Sequence, residues 1–245
     1  MGSAARNLLI VEGVDDRYFV NQILLHHGFR KSSQADHEHY IIDREGSSEE
    51  EAVRILECKG FKKIPEALKA EFQPDALDGV AIIADMDLHS DRRWESLRGT
   101  LSRSHYFSGL PTWLPPEGLV HSQPGMPSLG VWLMPDNVSE GRMETFAGEL
   151  VPAGDACWAH ARATVDDLPD VVRRFSIERR RDNALLHTWL AWQNEPGCQT
   201  GLAVSMKLLQ ADLAPATNLA GWIQRWLVAS TGRRAGEVDR TGNPS

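Results

Sequence analysis

The sequence predicts an α/β fold, with a mostly parallel four-stranded sheet flanked by helices and a helical C-terminal extension. Short apolar runs rich in β-branched residues alternate with helical patterns over residues 7–150, which is typical of parallel strands joined by helical crossovers. Two of these runs, at residues 8–11 and 80–84, contain no polar side chain, as expected for strands buried on both faces. No strand pattern remains after Pro152.

The individual elements follow from the same patterns in chain order. Strands are predicted at residues 7–11, at 40–43, from 80 onward and at 129–134. Helices are predicted after the first strand, from Ser47 or Ser48 to Leu56, at 65–72, at 90–104 and at 142–150. Asp15 or Asp16 is the predicted N-cap of the first helix.

The rest of the chain divides into an insertion, an extension and a tail. Residues 111–127 contain five prolines and predict an irregular loop or hairpin inserted in the α/β domain of residues 7–150. Residues 151–230 form the predicted extension, packed on that domain, with helical segments at 154–163, 166–175, 178–192 and 217–229. Its tryptophans at positions 189, 192, 222 and 226 recur at helical spacing, which favours core packing over a platform for stacking bases. The polar residues 231–245 predict a disordered tail.

The composition narrows the range of protein classes. No run of about 18 apolar residues occurs, so we expect no membrane partner, and the start of the chain shows no signal-peptide pattern. Three scattered cysteines without a CxxC pair indicate a reducing cytoplasm and no structural zinc. The net charge of −8 argues against a protein that coats nucleic acid permanently, but it does not exclude a nuclease. The arginines of residues 173–181 are diluted by acids, which favours a solvated helix face.

Acidic residues follow two of the predicted buried strands. Glu12 comes directly after the first run, and Asp85 and Asp87 come after the run that begins at residue 80. Ligands of open α/β sheets bind beyond the carboxyl ends of the strands. Carboxylates brought together there repel one another unless a cation lies between them, and hard oxygen ligands suit Mg²⁺ or Mn²⁺. The pattern therefore predicts a metal-dependent phosphoryl-transfer site.

These motifs resemble the TOPRIM domain, which occurs in topoisomerases, primases, maturase-like ribonucleases and OLD-family nucleases. The resemblance lies in VEGVDD at residues 11–16 and in the DxD motif of Asp85 and Asp87. Three further segments resemble a small bacterial stand-alone family of unknown function that is itself TOPRIM-like, over about residues 7–230. These segments are ADMD at 84–87 running to RW at 93–94, GVWLMPDN at 130–137 and LHTWLAWQ at 186–193.

The resemblance implies a role for each matching residue. Glu12 matches the TOPRIM glutamate, a metal ligand or general acid/base, and Asp85 and Asp87 match the DxD pair that holds Mg²⁺. Asp16 lies where related nucleases also place an acid and would serve a second metal. The chain departs from other TOPRIM proteins in lacking a topoisomerase tyrosine domain, a primase zinc module and the GxxxxGK[ST] motif of the OLD ATPase half.

Several of these residues also have a structural interpretation. Asp15 is more simply a helix cap, and Asp87 is a turn or cap residue in the alternative to metal binding. Asp136, which ends the last predicted strand, is either a second-metal or supporting group of the site or part of the turn that enters the next helix. Glu144 is either a support for that site or a member of a solvated helix face. Gly13 is expected to allow a sharp turn from strand to helix.

Two functions of different classes remain open from the sequence. The first is Mg²⁺- or Mn²⁺-dependent hydrolysis of phosphodiester bonds in DNA or RNA by a cytoplasmic nuclease, with a role in phage defence that the resemblance suggests. The second is a non-catalytic regulatory module that binds a metal or nucleotide and acts with a partner protein such as an ATPase. Cleavage by the purified protein that depends on a divalent ion separates the two.

Overall fold

The fold was analysed in a computed structural model, which describes residues 5–32, 40–46, 48, 51–88, 90–103 and 106–241. Seven strands form one sheet in the order β2-β3-β4-β1-β5-β7-β6. The strands are β1 (Asn7–Val11), β2 (Phe29–Lys31), β3 (Tyr40–Arg44), β4 (Val53–Glu57), β5 (Gly79–Asp85), β6 (Leu119–His121) and β7 (Ser128–Met134). The predicted α/β class is confirmed, although the sheet is larger than the four strands expected.

The four central strands are parallel, and their order decides where the acidic residues meet. β1 lies between β4 and β5, and β5 in turn pairs with β7. Val11, the last residue of β1, pairs with Ile83 of β5 and Glu57 of β4. The outer strands β2, β3 and β6 are antiparallel. The carboxyl ends of β1 and β5 therefore lie side by side at one edge of the sheet.

One predicted helix is wrong and changes the membership of the parallel set. Residues up to Leu56 were expected to be helical from Ser47 or Ser48, but Val53–Glu57 is strand β4. Val53 and Ile55 are buried while Arg54 and Glu57 are half-buried, which is the alternation of a strand with one more solvated face. The predicted strand at 40–43 exists, but it pairs antiparallel with β4. The fourth parallel strand is thus β4.

Eight helices surround the sheet within the described residues. They are α1 (Val14–His26), α2 (Ile64–Glu71), α3 (Ser90–Arg103), α4 (Met143–Glu149), α5 (Ala156–Asp166), α6 (Ile177–Ala191), α7 (Thr200–Ser205) and α8 (Ala214–Thr241), and a short 3-10 helix (Phe61–Lys63) precedes α2. Among these described segments, none of the helices has both the length and the apolar character that crossing a membrane requires.

The extension differs from the expected helices in three places. The helix predicted at residues 166–175 is absent. Helix α5 ends at Asp166, and turns lead from it to α6, which begins at Ile177. Helix α7 was not predicted, and α8 continues to Thr241, through most of the tail for which disorder was expected. Some predictions concern positions outside the described residues, namely Ser47, Ser104, the first four residues and residues 242–245.

The sheet is covered on both faces, as the continuous apolar runs required. Alternate residues of β1 point to opposite sides: Leu8 and Ile10 join one apolar cluster with α2 and α3, while Leu9 and Val11 join another with α1, α4 and the extension. In the second cluster Trp189, Trp222 and Trp226 are at most 1% exposed. The prediction of tryptophan core packing is confirmed for these three side chains, whereas Trp192 is 44% exposed.

Candidate functional site

The candidate site lies at the carboxyl ends of β1 and β5, where two of the predicted acids meet. Glu12 follows β1 directly, and Asp85 is the last residue of β5. Oε1 of Glu12 accepts a hydrogen bond from the backbone N–H of Asp85 at 2.8 Å. The adjacent parallel strands therefore bring these two residues together, as their positions at the strand ends predicted.

Glu12 uses both carboxylate oxygens to hold backbone amides. Besides the bond to Asp85, its Oε2 accepts from the N–H of Phe61 at 2.9 Å. The Glu12 backbone carbonyl also accepts from the N–H of Gly60 at 2.8 Å. This one residue thus ties the end of β1 to the end of β5 and to the 3-10 helix, so it fixes the edge on which Asp85 stands.

Asp16 and Asp85 lie in a crowded acidic environment. Burial, together with the nearby charges of Glu12 and Glu144, raises the pKa of Asp16 from 3.8 to about 7. Burial also raises the pKa of Asp85 well above its usual range, followed by the charges of Asp16, Glu12 and Glu144. The Met143 backbone N–H, at 2.9 Å from Oδ1 of Asp85, opposes this increase. Glu144 therefore belongs to the site electrostatically.

Asp87 has a different environment from Asp85, although they share the DxD motif. Its Oδ1 accepts from Nε of Arg142 at 2.7 Å, and its Oδ2 is paired with Arg93. The Arg93 guanidinium also lies over the ring of Phe61, 4.1 Å from its centroid. Asp87 has φ +57° and exchanges two backbone hydrogen bonds with Gly141. In this arrangement Asp87 is neutralised by two arginines, and its backbone also has the turn role that was the alternative.

The start of α6 covers the site from the extension. Asn183 donates a hydrogen bond to Glu144, and the Thr145 hydroxyl donates to Oδ2 of Asp182 at 2.7 Å. A cavity of about 180 Å³ lies between this helix and the loop that carries Asp87. A larger cavity, of about 290 Å³, lies beside Asn7 at the opposite end of β1, away from the acids. The smaller cavity borders the candidate site on its Asp87 side, and a further cavity of about 280 Å³ is lined by Glu144.

The acids fit a divalent ion by their chemistry, although they are not drawn together as a ligand cage. Within the described parts of the chain, no group of three or more His, Cys, Asp or Glu side chains is arranged to hold a metal ion. The donors are nevertheless carboxylate oxygens, which Mg²⁺ and Mn²⁺ prefer. Burial is the main cause of the raised pKa values of Asp16 and Asp85, and the negative charges of their neighbours add to it. A divalent ion would supply the positive charge that offsets those neighbours.

Of the two roles considered for Asp136, its side-chain contacts are those of the turn. Its Oδ1 accepts from the backbone N–H groups of Val138 at 3.0 Å and Ser139 at 2.6 Å, and its Oδ2 accepts from the Ser139 hydroxyl at 2.8 Å. Although partial burial opposes the change, these bonds lower the pKa of Asp136. Its charge acts on Glu149 rather than on Asp85. Asp136 organises the turn after β7, the structural alternative considered for it.

This turn role predicts a specific pair of mutational effects. Asp136→Asn should lower the free energy of unfolding by well under 1 kcal/mol, because the asparagine oxygen accepts from the same turn amides. Asp136→Ala should lower it by about 1–2 kcal/mol, since the amides of the turn lose their acceptor. Urea denaturation of both variants at pH 7 measures the difference. Equal losses in the two variants would contradict a hydrogen-bonding role.

The start of α1 also differs from expectation. The N-cap residue is Gly13, and neither Asp15 nor Asp16 occupies that position. Both lie in the first helical turn, where negative charge is favourable. Gly13 has an extended backbone (φ −142°, ψ 177°) that any residue adopts. Its lack of a side chain matters for space instead, because a Cβ there would lie 3.1 Å from Oδ2 of Asp16.

Comparison with known families places the chain by its sequence. The model of the family described as "Protein of unknown function (DUF3226)" matches residues 6–228. The chain belongs to the DUF3226 family. No curated protein and no solved structure gives a significant match. Because the DUF3226 description names no activity, the functional argument depends on the geometry of the site.

The arginines and the α6 residues of this DUF3226 site were not assigned by the sequence analysis. The sequence places Arg93 only within a motif, and it favours a solvated helix face for the arginines of residues 173–181. Arg179 and Arg181 line the site cavity, and Arg181 is also paired with Asp166 and Asp182. Since these contacts join segments far apart in the chain, no local pattern signals them. The only local pattern at the start of α6 is its mixture of acidic and basic residues, and this pattern does not indicate which residues the arginines contact.

Proposed function

We propose that this DUF3226 chain is a TOPRIM-like nuclease that hydrolyses phosphodiester bonds of nucleic acid with Mg²⁺ or Mn²⁺. The observation that carries the proposal is the meeting of Asp16, Asp85 and Glu144 at the carboxyl edge of a parallel sheet, with raised pKa values for Asp16 and Asp85. Perturbed carboxyls at such an edge favour a functional site over a purely structural one. The order of Glu12 and the DxD motif in the chain supports the TOPRIM assignment.

The residues that would hold the ion are Asp16 and Asp85, with Glu144 beside them. A bound divalent ion would polarise a phosphoryl oxygen and activate water for attack on phosphorus. Glu12 acts as a positioning residue, since both of its oxygens are engaged by backbone amides. Asp87 is proposed as the ligand of the same or a second ion once its arginines release it. The site's own contribution is a fixed sheet edge at which the carboxyl groups of Asp16, Asp85 and Glu144 lie near enough to interact electrostatically.

The same proposal includes a cellular context. The cysteines form no disulfide among the described residues, which agrees with a reducing cytoplasm. Nucleic acid, DNA or RNA, would be a transient partner because the net charge is −8. The TOPRIM resemblance adds a bacterial role in phage defence and a partner ATPase to these proposals.

One observation favours the alternative of a regulatory module without catalysis. Asp87 is neutralised by Arg93 and Arg142, and the described acids are not drawn into a metal cage. A module of this kind would bind its metal or nucleotide only beside a partner protein. It would show no hydrolysis when purified alone, which distinguishes it from the nuclease.

The test is a cleavage assay with purified protein. Circular and linear duplex DNA, single-stranded DNA and RNA are each incubated with Mg²⁺, with Mn²⁺ or with EDTA, and the products are resolved on gels. We expect strand cleavage that requires the divalent ion and that disappears in EDTA. Absence of cleavage for every substrate with both ions would reject the nuclease in favour of the regulatory module.

A further inference from the structure

Two arginines from distant parts of the chain contact the same carboxylate, that of Asp87. Arg93 lies on α3 and Arg142 precedes α4, yet each contacts a different carboxylate oxygen of Asp87. Their side chains are both 21% exposed, so they are held largely within the protein. The Asp87 carboxylate is therefore gripped on both of its oxygens by separate guanidinium groups.

Each arginine also has a contact other than Asp87, through the guanidinium group of Arg93 and through the backbone of Arg142. Arg93 stacks on the Phe61 ring, and Phe61 is itself fixed through its N–H to Glu12. The backbone N–H of Arg142 donates to the Thr145 hydroxyl at 3.0 Å, and Thr145 donates to Asp182. Burial lowers the pKa of Arg93 from its usual value, and an arginine side chain stays protonated in proteins. The Arg93 guanidinium is thus preorganised, and Arg142 is fixed at its backbone.

A phosphodiester resembles the Asp87 carboxylate in its charge distribution. In both groups one negative charge is shared by two oxygens on one centre, and guanidinium groups bind such oxyanions with directed, charge-assisted hydrogen bonds. The cavity beside Asp87 and Arg142 is about 180 Å³ and opens along the start of α6. Its wall includes Arg179, which forms no salt bridge within the described part of the chain. The wall beyond the clamp therefore carries the cations Arg179 and Arg181 beside the acids Glu178 and Asp182.

We propose that Arg93 and Arg142 form a clamp for a backbone phosphate of the substrate, and that Asp87 occupies this clamp when no nucleic acid is bound. This inference deepens the proposed function and rests on it, because it names the phosphate-binding part of the same site. Binding of nucleic acid displaces Asp87 from the arginines. Its carboxylate is then free to bind the divalent ion beside Asp16 and Asp85. The residues that neutralise Asp87 are, on this view, the residues that hold the substrate.

The clamp predicts that removing an arginine and removing its internal competitor have opposite effects. Affinity for fluorescein-labelled single-stranded DNA, duplex DNA and RNA is measured by fluorescence anisotropy in EDTA, where no cleavage interferes. Arg93→Ala should raise Kd by about tenfold or more through loss of a charge-assisted contact. Arg92→Ala is the matched control, because Arg92 is the exposed neighbour on the same helix, and it should change Kd less than about twofold.

Removing the charge of Asp87, which competes with the phosphate for the arginines, is the sharper test of the clamp. Asp87→Asn should lower Kd by about fivefold or more, since the clamp no longer holds an internal carboxylate, and asparagine tolerates the positive φ of this position. Asp136→Asn carries the same charge change in a turn away from the clamp, and it should leave Kd nearly unchanged. The three probes report whether DNA, RNA or both supply the phosphate.

Each outcome decides for or against the clamp. The clamp would be overturned if Arg93→Ala and Arg92→Ala lost the same amount of affinity, or if Asp87→Asn and Asp136→Asn gained the same amount. It would also be overturned if the wild type bound none of the probes. If Arg93→Ala proves unstable in thermal melts, Arg93→Lys, which keeps the charge but not the planar fork, takes its place and should show an intermediate Kd. Because binding is measured without divalent ion, these results are separate from the cleavage assay. Oligonucleotide binding without cleavage would support the clamp while rejecting the nuclease.

Discussion

Asp85→Asn is expected to lower kcat for divalent-ion-dependent cleavage by about 100-fold or more. Loss of groups that only support a metal ligand already lowers metal affinity or activity by about 10–100-fold, and Asp85 is proposed as a ligand itself. In the wild type the Met143 backbone N–H donates to Oδ1 of Asp85 at 2.9 Å. Asparagine keeps an oxygen that can accept the same hydrogen bond. The variant therefore removes charge while it retains the local hydrogen bond.

The matched control for this prediction is Asp136→Asn. It has the same change of atoms and charge, at the end of the neighbouring strand β7, but it lies in a turn that does not act on Asp85. Its kcat should stay within about twofold of wild type, as is usual for a change outside the site. Cleavage by Asp85→Asn at the wild-type rate, with the same requirement for Mg²⁺ or Mn²⁺, would remove Asp85 from the proposed chemistry.

Asp16→Asn is expected to stabilise the metal-free protein at neutral and alkaline pH. The pKa of Asp16 is about 7 in the folded chain and 3.8 ordinarily, so the folded state holds a proton that the unfolded state has lost. Stability consequently falls as pH rises between about 4 and 7, and the loss persists above that range. The shift corresponds to about 4 kcal/mol as an upper bound, and partial solvent contact of the side chain reduces it to about 2–4 kcal/mol.

The measurement is urea denaturation in EDTA from pH 4 to pH 9. The free energy of unfolding of Asp16→Asn should exceed that of wild type by an amount that grows up to about pH 7 and then levels off. Asp15→Asn is the control, because Asp15 is the exposed neighbour in the same helical turn, and its profile should run parallel to that of wild type. Parallel profiles for wild type and Asp16→Asn would show that the acidic crowding is absent.

The sequence was informative where burial leaves a continuous local pattern. β1, β5 and β7 are apolar along their length because both faces of the sheet are covered, so their positions could be predicted. β4 was misjudged because Arg54 and Glu57 interrupt its apolar residues, and the serines upstream resemble a helix start. Its identity depends on pairing with β1, which is a contact between segments that no local window contains.

The same distinction applies within the site. The meeting of Glu12 and Asp85 follows from their positions at parallel strand ends, which the order of the strands guarantees. The pairing of Asp87 with Arg142 depends on how the loop before α4 returns to β5, and that path is not encoded locally. For Asp136 a local signal did exist. The Asp-Asn-Val-Ser sequence is typical of a turn in which the aspartate accepts from the following amides, and that interpretation should have been preferred.

Direct measurement of Mn²⁺ binding tests the central claim, that the carboxylate edge of Asp16, Asp85 and Glu144 holds a divalent ion. Binding is followed by isothermal titration calorimetry and by the loss of the free Mn²⁺ signal in electron paramagnetic resonance, without nucleic acid. We predict saturable binding by the wild type and by Asp136→Asn, with affinity at least about tenfold weaker in Asp85→Asn and in Asp16→Asn. A wild-type protein that binds no Mn²⁺, or variants that bind it as tightly as wild type, would contradict the claim.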